Sequence, residues 1–207
     1  LEGAGFEVTL HESSAPGHLE ERVSAFVRDG GMRLVVAGGD GSVHEAVNGI
    51  LAAGGDAALG VIPAGTGNDF AKAAGITLDW RDATALLADN LSGDAHPRQV
   101  DAGRMNGRYF ANGAGIGFDA KVTAVARSIR WPIGDLVYLI AIFRAFADGI
   151  VTPTVTIETA GGKTLWDGPL TLANVSNGPW VGGMFHIAPM ASHDDGQLDL
   201  IVAAPVK

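Results

Sequence analysis

Cysteine is absent from this chain of 207 residues. That excludes disulfides, thiolate nucleophiles and cysteine-based zinc sites. Basic residues are few: 14 Lys and Arg stand against 23 Asp and Glu, a formal charge of −9 with His neutral. A nucleic-acid binder needs a basic face for the phosphates, so that class is set aside. A small phosphate site remains open, because backbone N–H groups bind anions without Lys or Arg. No apolar run is long. The longest, Leu136–Ala147, is interrupted by Arg144 and falls short of the about 20 residues a membrane-spanning helix needs. Leu1–Leu10 lacks a basic start followed by an apolar stretch, the pattern of a secretory leader. Charged residues are only 18% and hydrophobic ones 47%, so the chain can bury a core.

Glycine is abundant, with 30 residues. They cluster at 38–41, 54–55, 65–67, 113–117 and 182–183, as tight turns and close backbone approaches to a ligand require. Around them the first half alternates. Phe6–Leu10 reads as a strand and Pro16–Asp29 as a helix with Leu19, Val23, Phe26 and Val27 on one face. Leu34–Ala37 reads as a strand buried on both faces. Ser42–Ala53 reads as a helix opened by a Ser42/Glu45 capping box. Ala57–Ile62, Asp69–Ala74 and Asp79–Asn90 follow as strand, short helix and helix. This order predicts an α/β domain over 1–96, with three layers and a mostly parallel sheet. The turn-rich segment Ser92–Pro97 marks a boundary. From 97 to 207 strand-like runs dominate: Gln99–Ala102, Arg108–Ala111, Thr154–Thr159, Thr164–Val175 and Gln197–Val202, with a hairpin signal at Ala160-Gly161-Gly162. One helical region, Asp119 to about Ala147, interrupts them. The second half is expected to be a β-sandwich-like domain.

Two segments carry chemistry. In Val35-Val36-Ala37-Gly38-Gly39-Asp40-Gly41-Ser42 a buried strand delivers a glycine turn to a helix N-terminus, where N–H groups and the helix dipole favour a phosphate. Asp40 would repel a bare phosphate and fits the turn if Mg²⁺ or a bound water lies between them. In Ile62-Pro63-Ala64-Gly65-Thr66-Gly67-Asn68-Asp69-Phe70 the same strand–turn–helix order recurs. Both turns then lie at the carboxyl edge of the sheet, where open α/β sheets bind ligands. The Thr66 hydroxyl can donate to a phosphate and Asp69 can hold a metal or a hydroxyl. Helix capping alone would also explain Asn68 and Asp69. Two look-alikes fail. Ile157 stands where a P-loop ending in Gly162-Lys163-Thr164 needs glycine, and Phe118 stands at the third glycine position of a dinucleotide fingerprint begun by Gly113 and Gly115.

The pair Gly-Gly-Asp-Gly-Ser (38–42) and Pro-Ala-Gly-Thr-Gly-Asn-Asp-Phe-Ala (63–71) resembles the diacylglycerol kinase catalytic family, in its soluble bacterial lipid kinase branch. The resemblance extends to Val100-Asp101-Ala102-Gly103, to Phe110–Asp119, to Asn177-Gly178 and Gly182-Gly183, and to Pro189–Asp199. It implies ATP contacts from Ser13, Gly38, Gly39, Asp40, Gly41, Ser42, Val43, His44 and Thr66. It implies catalytic or metal-and-water roles for Asp40, Asp69 and Asp101. It also implies a structural Mg²⁺ held by Ser192, Asp195 and Gln197, the flanking positions through backbone carbonyls. Taken as residues alone, this last stretch reads first as a solvated acidic turn.

The implied activity is transfer of the γ-phosphoryl of ATP to a lipid hydroxyl, diacylglycerol first among acceptors, in a cytoplasmic setting with peripheral membrane association; a homodimer is compatible. The chain is expected to be a fragment: the family's first strand and phosphate loop should precede Leu1, and its Asp-Gly-Glu base segment does not occur here. Two alternatives stay open. One is a kinase of a soluble nucleotide such as NAD, and the other is an inactive nucleotide- or lipid-binding regulator. Arg127, Arg130 and Trp131, beside the apolar run, form a candidate interfacial contact.

Overall fold

The computed structural model describes residues 1–93, 96–129 and 136–205. In the first half the elements are α1 (His18–Arg28), β1 (Arg33–Gly38), α2 (Asp40–Ala52), β2 (Ala58–Pro63), α3 (Asp69–Ala73) and α4 (Trp80–Ser92). β1 and β2 pair in parallel from Arg33↔Ala58 to Gly38↔Pro63. That register brings both strand ends, and both glycine turns, to one edge. Val23 of α1, Val36 of β1 and Ala46 and Ile50 of α2 form one core. α4 packs on the sheet too, and a Cβ on Gly60 would meet Leu87 Cδ1 at 2.9 Å. The half is a three-layer α/β unit. Asp79 caps α4 as its sequence position predicts, accepting from the Arg81 and Asp82 N–H groups.

Several expectations change. Phe6–Leu10 has no strand pairing and runs as exposed chain. β1 is not buried on both faces: Val36 is buried, whereas Val35 is exposed. The Ser42/Glu45 capping box does not form, because α2 begins two residues earlier with Gly39 as its cap. The Glu45 carboxylate instead accepts from the Gly17 and Leu19 N–H groups at 3.0 and 3.1 Å. It serves the N-terminus of α1, where a negative charge is favoured.

The second half is antiparallel throughout its pairings. β3 (Gly103–Met105) and β4 (Arg108–Phe110) form a hairpin, β5 (Gly113–Gly117), β8 (Leu172–Ser176) and β11 (Asp199–Ala203) form a sheet in the order β11-β8-β5, and β6 (Thr154–Glu158) pairs with β7 (Thr164–Pro169). β9 (Trp180–Val181) and β10 (Phe185–His186) close over Gly182-Gly183. Gln99–Ala102 is not a strand; its Asp101 N–H is taken by a turn instead. The run 164–175 is two strands, parted at Leu170-Thr171, where Leu170 is fully buried. β5 carries little strand signal in its sequence, because its glycines have no side chain to pack. The helical region is two helices, α5 (Phe118–Ser128) and α6 (Leu136–Ala147), packed through Val122, Ala126, Ala141 and Ala145. Arg130 and Trp131 lie outside the described residues, as does the side chain of Arg127.

The hairpin β3–β4 is fastened to the first half. Asn48 of α2, nearly fully buried, donates to the Tyr109 carbonyl at 2.9 Å and accepts from the Tyr109 N–H at 2.9 Å. Arg108 donates through both terminal nitrogens to Glu20, at 2.9 and 2.7 Å.

Candidate active site

The first glycine turn ends β1 and opens α2, and the second ends β2 and opens α3. The Ala64 N–H donates to the Gly38 carbonyl at 3.0 Å, so the turns run side by side. Asn68, at φ 52°, closes the second turn: its carbonyl oxygen accepts from the Gly65 N–H at 3.0 Å and its amide donates to the Gly65 carbonyl at 2.8 Å. Thr66 stands exposed at the apex, Gly41 is exposed, and Ser42 and His44 are half-buried. Val43 is buried in a core with Val61, Phe70 and Ala111, so only its backbone can face a ligand.

Asp40 reaches from α2 to the start of α3, where its Oδ1 accepts from the Phe70 N–H at 3.0 Å. Asp69 is 6% exposed. Both its oxygens accept from the Gly183 N–H, at 3.0 and 3.2 Å, and the Lys72 ammonium lies 3.6 Å from Oδ1. Lys72 Nζ also donates to the Gly183 carbonyl. The Gly183 peptide is thus held at both ends from α3, which fastens the β9–β10 turn to the first half. Burial, and then the charge of Asp40, push the Asp69 carboxyl above its usual range; the Gly183 N–H and Lys72 oppose this.

Asp101 lies with a different group. Its N–H donates to the His193 carbonyl at 2.5 Å and its Oδ2 accepts from the Gly196 N–H at 2.7 Å. Its carbonyl accepts from Asn177 Nδ2 at 2.8 Å. Residues 192–197 therefore form one turn fastened to Asp101. In that turn Ser192 Oγ donates to Asp194 Oδ1 at 2.6 Å, and Asp195 Oδ1 accepts from the Gln197 N–H at 2.9 Å. Asp195 and Gln197 are exposed. Carboxylate, hydroxyl and carbonyl oxygens are donors of the hard type that suits Mg²⁺. Among the described residues, no three His, Cys, Asp or Glu side chains converge as a metal cluster.

His193 joins the two groups. Its ring stacks on Phe70, with centroids 5.2 Å apart and planes at 22°. It is 3% exposed, and neither ring nitrogen has a hydrogen-bond partner. Burial, and then the charge of Arg98, hold its pKa below the usual histidine value, against Asp194 and Asp101. The structure thus brings together Gly38–Ser42, Gly65–Thr66, Asp40 and Asp69. It links them through Phe70 and His193 to Asp101 and the 192–197 turn. Ser13 lies on the exposed chain before α1. It lines, with Ser42, an open groove of about 1790 Å³ between residues 6–13 and the β1–β2 sheet. Of the sequence-derived candidates only these two line it. Asn177, Gly183 and His193 lie in segments that carry the resemblance, which gives them no individual role; for Lys72 the available signal is its three-residue spacing from Asp69 on a helix.

Residues 1–105 match the family described as "Diacylglycerol kinase catalytic domain". The chain belongs to that family. Residues 113–207 match a second family, "YegS C-terminal NAD kinase beta sandwich-like domain". Among curated relatives, "Probable lipid kinase YegS-like" of Pseudomonas aeruginosa is 32% identical over 96% of this chain and 63% of its own. A "Diacylglycerol kinase" of Bacillus subtilis is 35% identical over 98% and 65%. A solved diacylglycerol kinase from Bacillus anthracis aligns with a TM-score of 0.71 at 26% identity, over 93% of this chain and 61% of its own. The chain spans a little under two thirds of the length of these relatives. The α/β half followed by a β-rich half is the architecture that they share.

Proposed function

We propose that this chain forms the nucleotide- and metal-binding part of an ATP- and Mg²⁺-dependent lipid kinase. The observation that carries the reading is the pair of contacting glycine turns at the carboxyl edge of the parallel sheet, with Asp40 and Asp69 beside them. In the reaction an acceptor hydroxyl oxygen bonds to the γ-phosphorus of ATP. The bond from that phosphorus to the β–γ bridging oxygen breaks, ADP leaves, and the hydroxyl proton passes to a base. None of Asp40, Asp69 and Asp101 is assigned as that base.

Phosphoryl transfer depends on positioning and charge stabilisation more than on covalent chemistry. Gly38, Gly39, Gly41, Ser42 and the backbone of Val43 and His44 cradle the phosphates, with Thr66 donating its hydroxyl and Ser13 near the nucleotide. Asp40, Asp69 and Asp101 would hold Mg²⁺ through water and set the geometry of the site, and the metal would supply neutralisation of phosphate charge. Ser192, Asp195 and Gln197 would hold a second, structural Mg²⁺. A lipid acceptor places the reaction at a membrane surface, and ATP places it on the cytoplasmic side. No helix among the described residues is long and apolar enough to cross a membrane, so the association is read as peripheral. Residues 1–96 and 97–207 are proposed as the two domains, with the acceptor entering between them.

The test is full-length protein with radiolabelled ATP, Mg²⁺, a panel of lipid alcohols including diacylglycerol and a ceramide-like base, and NAD. Label in a lipid product supports the reading. Label in NAD alone, or in no product, overturns it.

A further inference from the structure

α6 is apolar around most of its circumference. One side, through Ala141 and Ala145, packs on α5. The other side carries Leu136, Leu139, Ile140, Phe143 and Phe146, all exposed; Phe143 is 68% exposed and Leu136 56%. At the pitch of an α-helix these five fall on one arc of roughly 120°, and Arg144, also exposed, sits at its margin. A helix apolar around most of its surface is ordinarily covered, by protein or by lipid. With 12 residues it reaches about 18 Å, too short to span a bilayer and long enough to lie along its surface.

Three observations select the occupant. The described charged side chains of the segment 118–149, Lys121 and Arg144 against Asp119 and Asp148, balance to neutrality within a chain of charge −9. The segment is therefore locally compatible with anionic headgroups where the rest is repelled. The exposed face also continues inward. The Phe146 ring touches Phe118, with centroids 4.6 Å apart. Phe118 lines a largely apolar cleft of about 230 Å³ with Gly117, Lys121, Val151 and Pro153, and Val151 is itself 72% exposed. Finally, the face is the convex outer side of one helix. A protein partner must supply a matching groove, whereas acyl chains conform to it.

We propose that the outer face of α6 lies in the headgroup–acyl boundary of an anionic bilayer and that the Phe118–Val151 cleft receives the end of a lipid acyl chain there. This rests on the lipid-kinase reading for its purpose and on the exposed face for its location.

The test uses full-length protein and its Phe143→Asp variant, with Leu165→Asp as an exposed apolar control on β7. Flotation with vesicles of phosphatidylcholine and phosphatidylglycerol containing diacylglycerol measures binding. Turnover on a water-soluble short-chain diacylglycerol measures catalysis away from a surface, and light scattering measures oligomeric state. Phe143→Asp should weaken vesicle binding by about tenfold or more, with soluble-substrate turnover kept. Arg144→Glu should weaken it by about fivefold or more at low salt, less as salt rises. Leu165→Asp should bind as wild type. If Phe143→Asp fails to fold, Leu139→Ser replaces it. Unchanged vesicle binding overturns the proposal. So does loss of turnover on the soluble substrate at an unchanged melting temperature, and so does a wild-type dimer that Phe143→Asp converts to monomer. Failure of the lipid-kinase reading would show separately, as a wild type that binds vesicles through Phe143 yet labels no lipid.

Discussion

Gly39 and Gly65 meet backbone to backbone: a Cβ on Gly39 would lie 2.8 Å from Gly65 Cα, and one on Gly65 would lie 2.3 Å from Gly39 Cα. The two phosphate-type turns are therefore one packed unit, and no flexible side chain is available to yield.

Gly65→Ala should destabilise the protein by about 1–3 kcal/mol, the usual cost of overpacking, and should weaken nucleotide binding. Gly41→Ala is the control for stability alone, since a Cβ there meets nothing within 4 Å while Gly41 itself belongs to the proposed phosphate cradle. Thermal unfolding and ATP titration of the two variants check this. Equal melting temperatures would show that the turns can part without cost.

Asp40 does two jobs that can be separated. As the acceptor of the Phe70 N–H it acts like a helix cap, and Asp40→Ala should cost about 1 kcal/mol of stability. As a charge in the phosphate turn it should contribute about a hundredfold or more to kcat. Asp40→Asn keeps an acceptor and removes the charge, so it should unfold near the wild-type temperature while losing the same turnover. Full activity in Asp40→Asn would reduce the residue to its structural role.

Asp195→Ala should lower the melting temperature measured in Mg²⁺ towards the value in EDTA, because a ligand bound only to the folded state stabilises it. A wild type whose melting temperature ignores both Mg²⁺ and EDTA removes the metal from the 192–197 turn.

His193 gives the protein an acid-sensitive joint. Its folded pKa is depressed, mainly by burial, while the unfolded value is about 6.5. Between the two the unfolded chain binds the proton and the native one does not, so stability falls as pH drops below about 6.5. Asp69 has the opposite sign. Its raised pKa makes native protein the better proton binder between the usual Asp value and its own, so that contribution falls as pH rises there. His193→Leu should flatten the decline below about pH 6.5 in a denaturation series. A decline of unchanged slope would assign it to other groups.

The sequence was most legible where local chemistry decides structure. The two strand–glycine–helix turns and the Asp79 cap stand where their residues predict. Legibility failed where distant chain decides. Ser42 and Glu45 have capping-box spacing, yet Glu45 serves α1, 26 and 28 residues away. Asp69 has the chemistry of a ligand, but its partner Gly183 lies 114 positions on, and no spacing rule reaches that far. His193 has no local sequence signal for its contact; only packing sets its ring on Phe70. β5 was hidden because a strand of alternating glycines carries almost no side-chain pattern.

The amide of Asn48 has a consequence for self-association. By donating to the Tyr109 carbonyl and accepting from its N–H, one side chain occupies both backbone groups that the middle of β4 turns outward. A strand edge with unpaired N–H and C=O groups is a template for pairing with other chains. Here a side chain of α2, 61 residues earlier in the chain, closes that edge from within the same molecule.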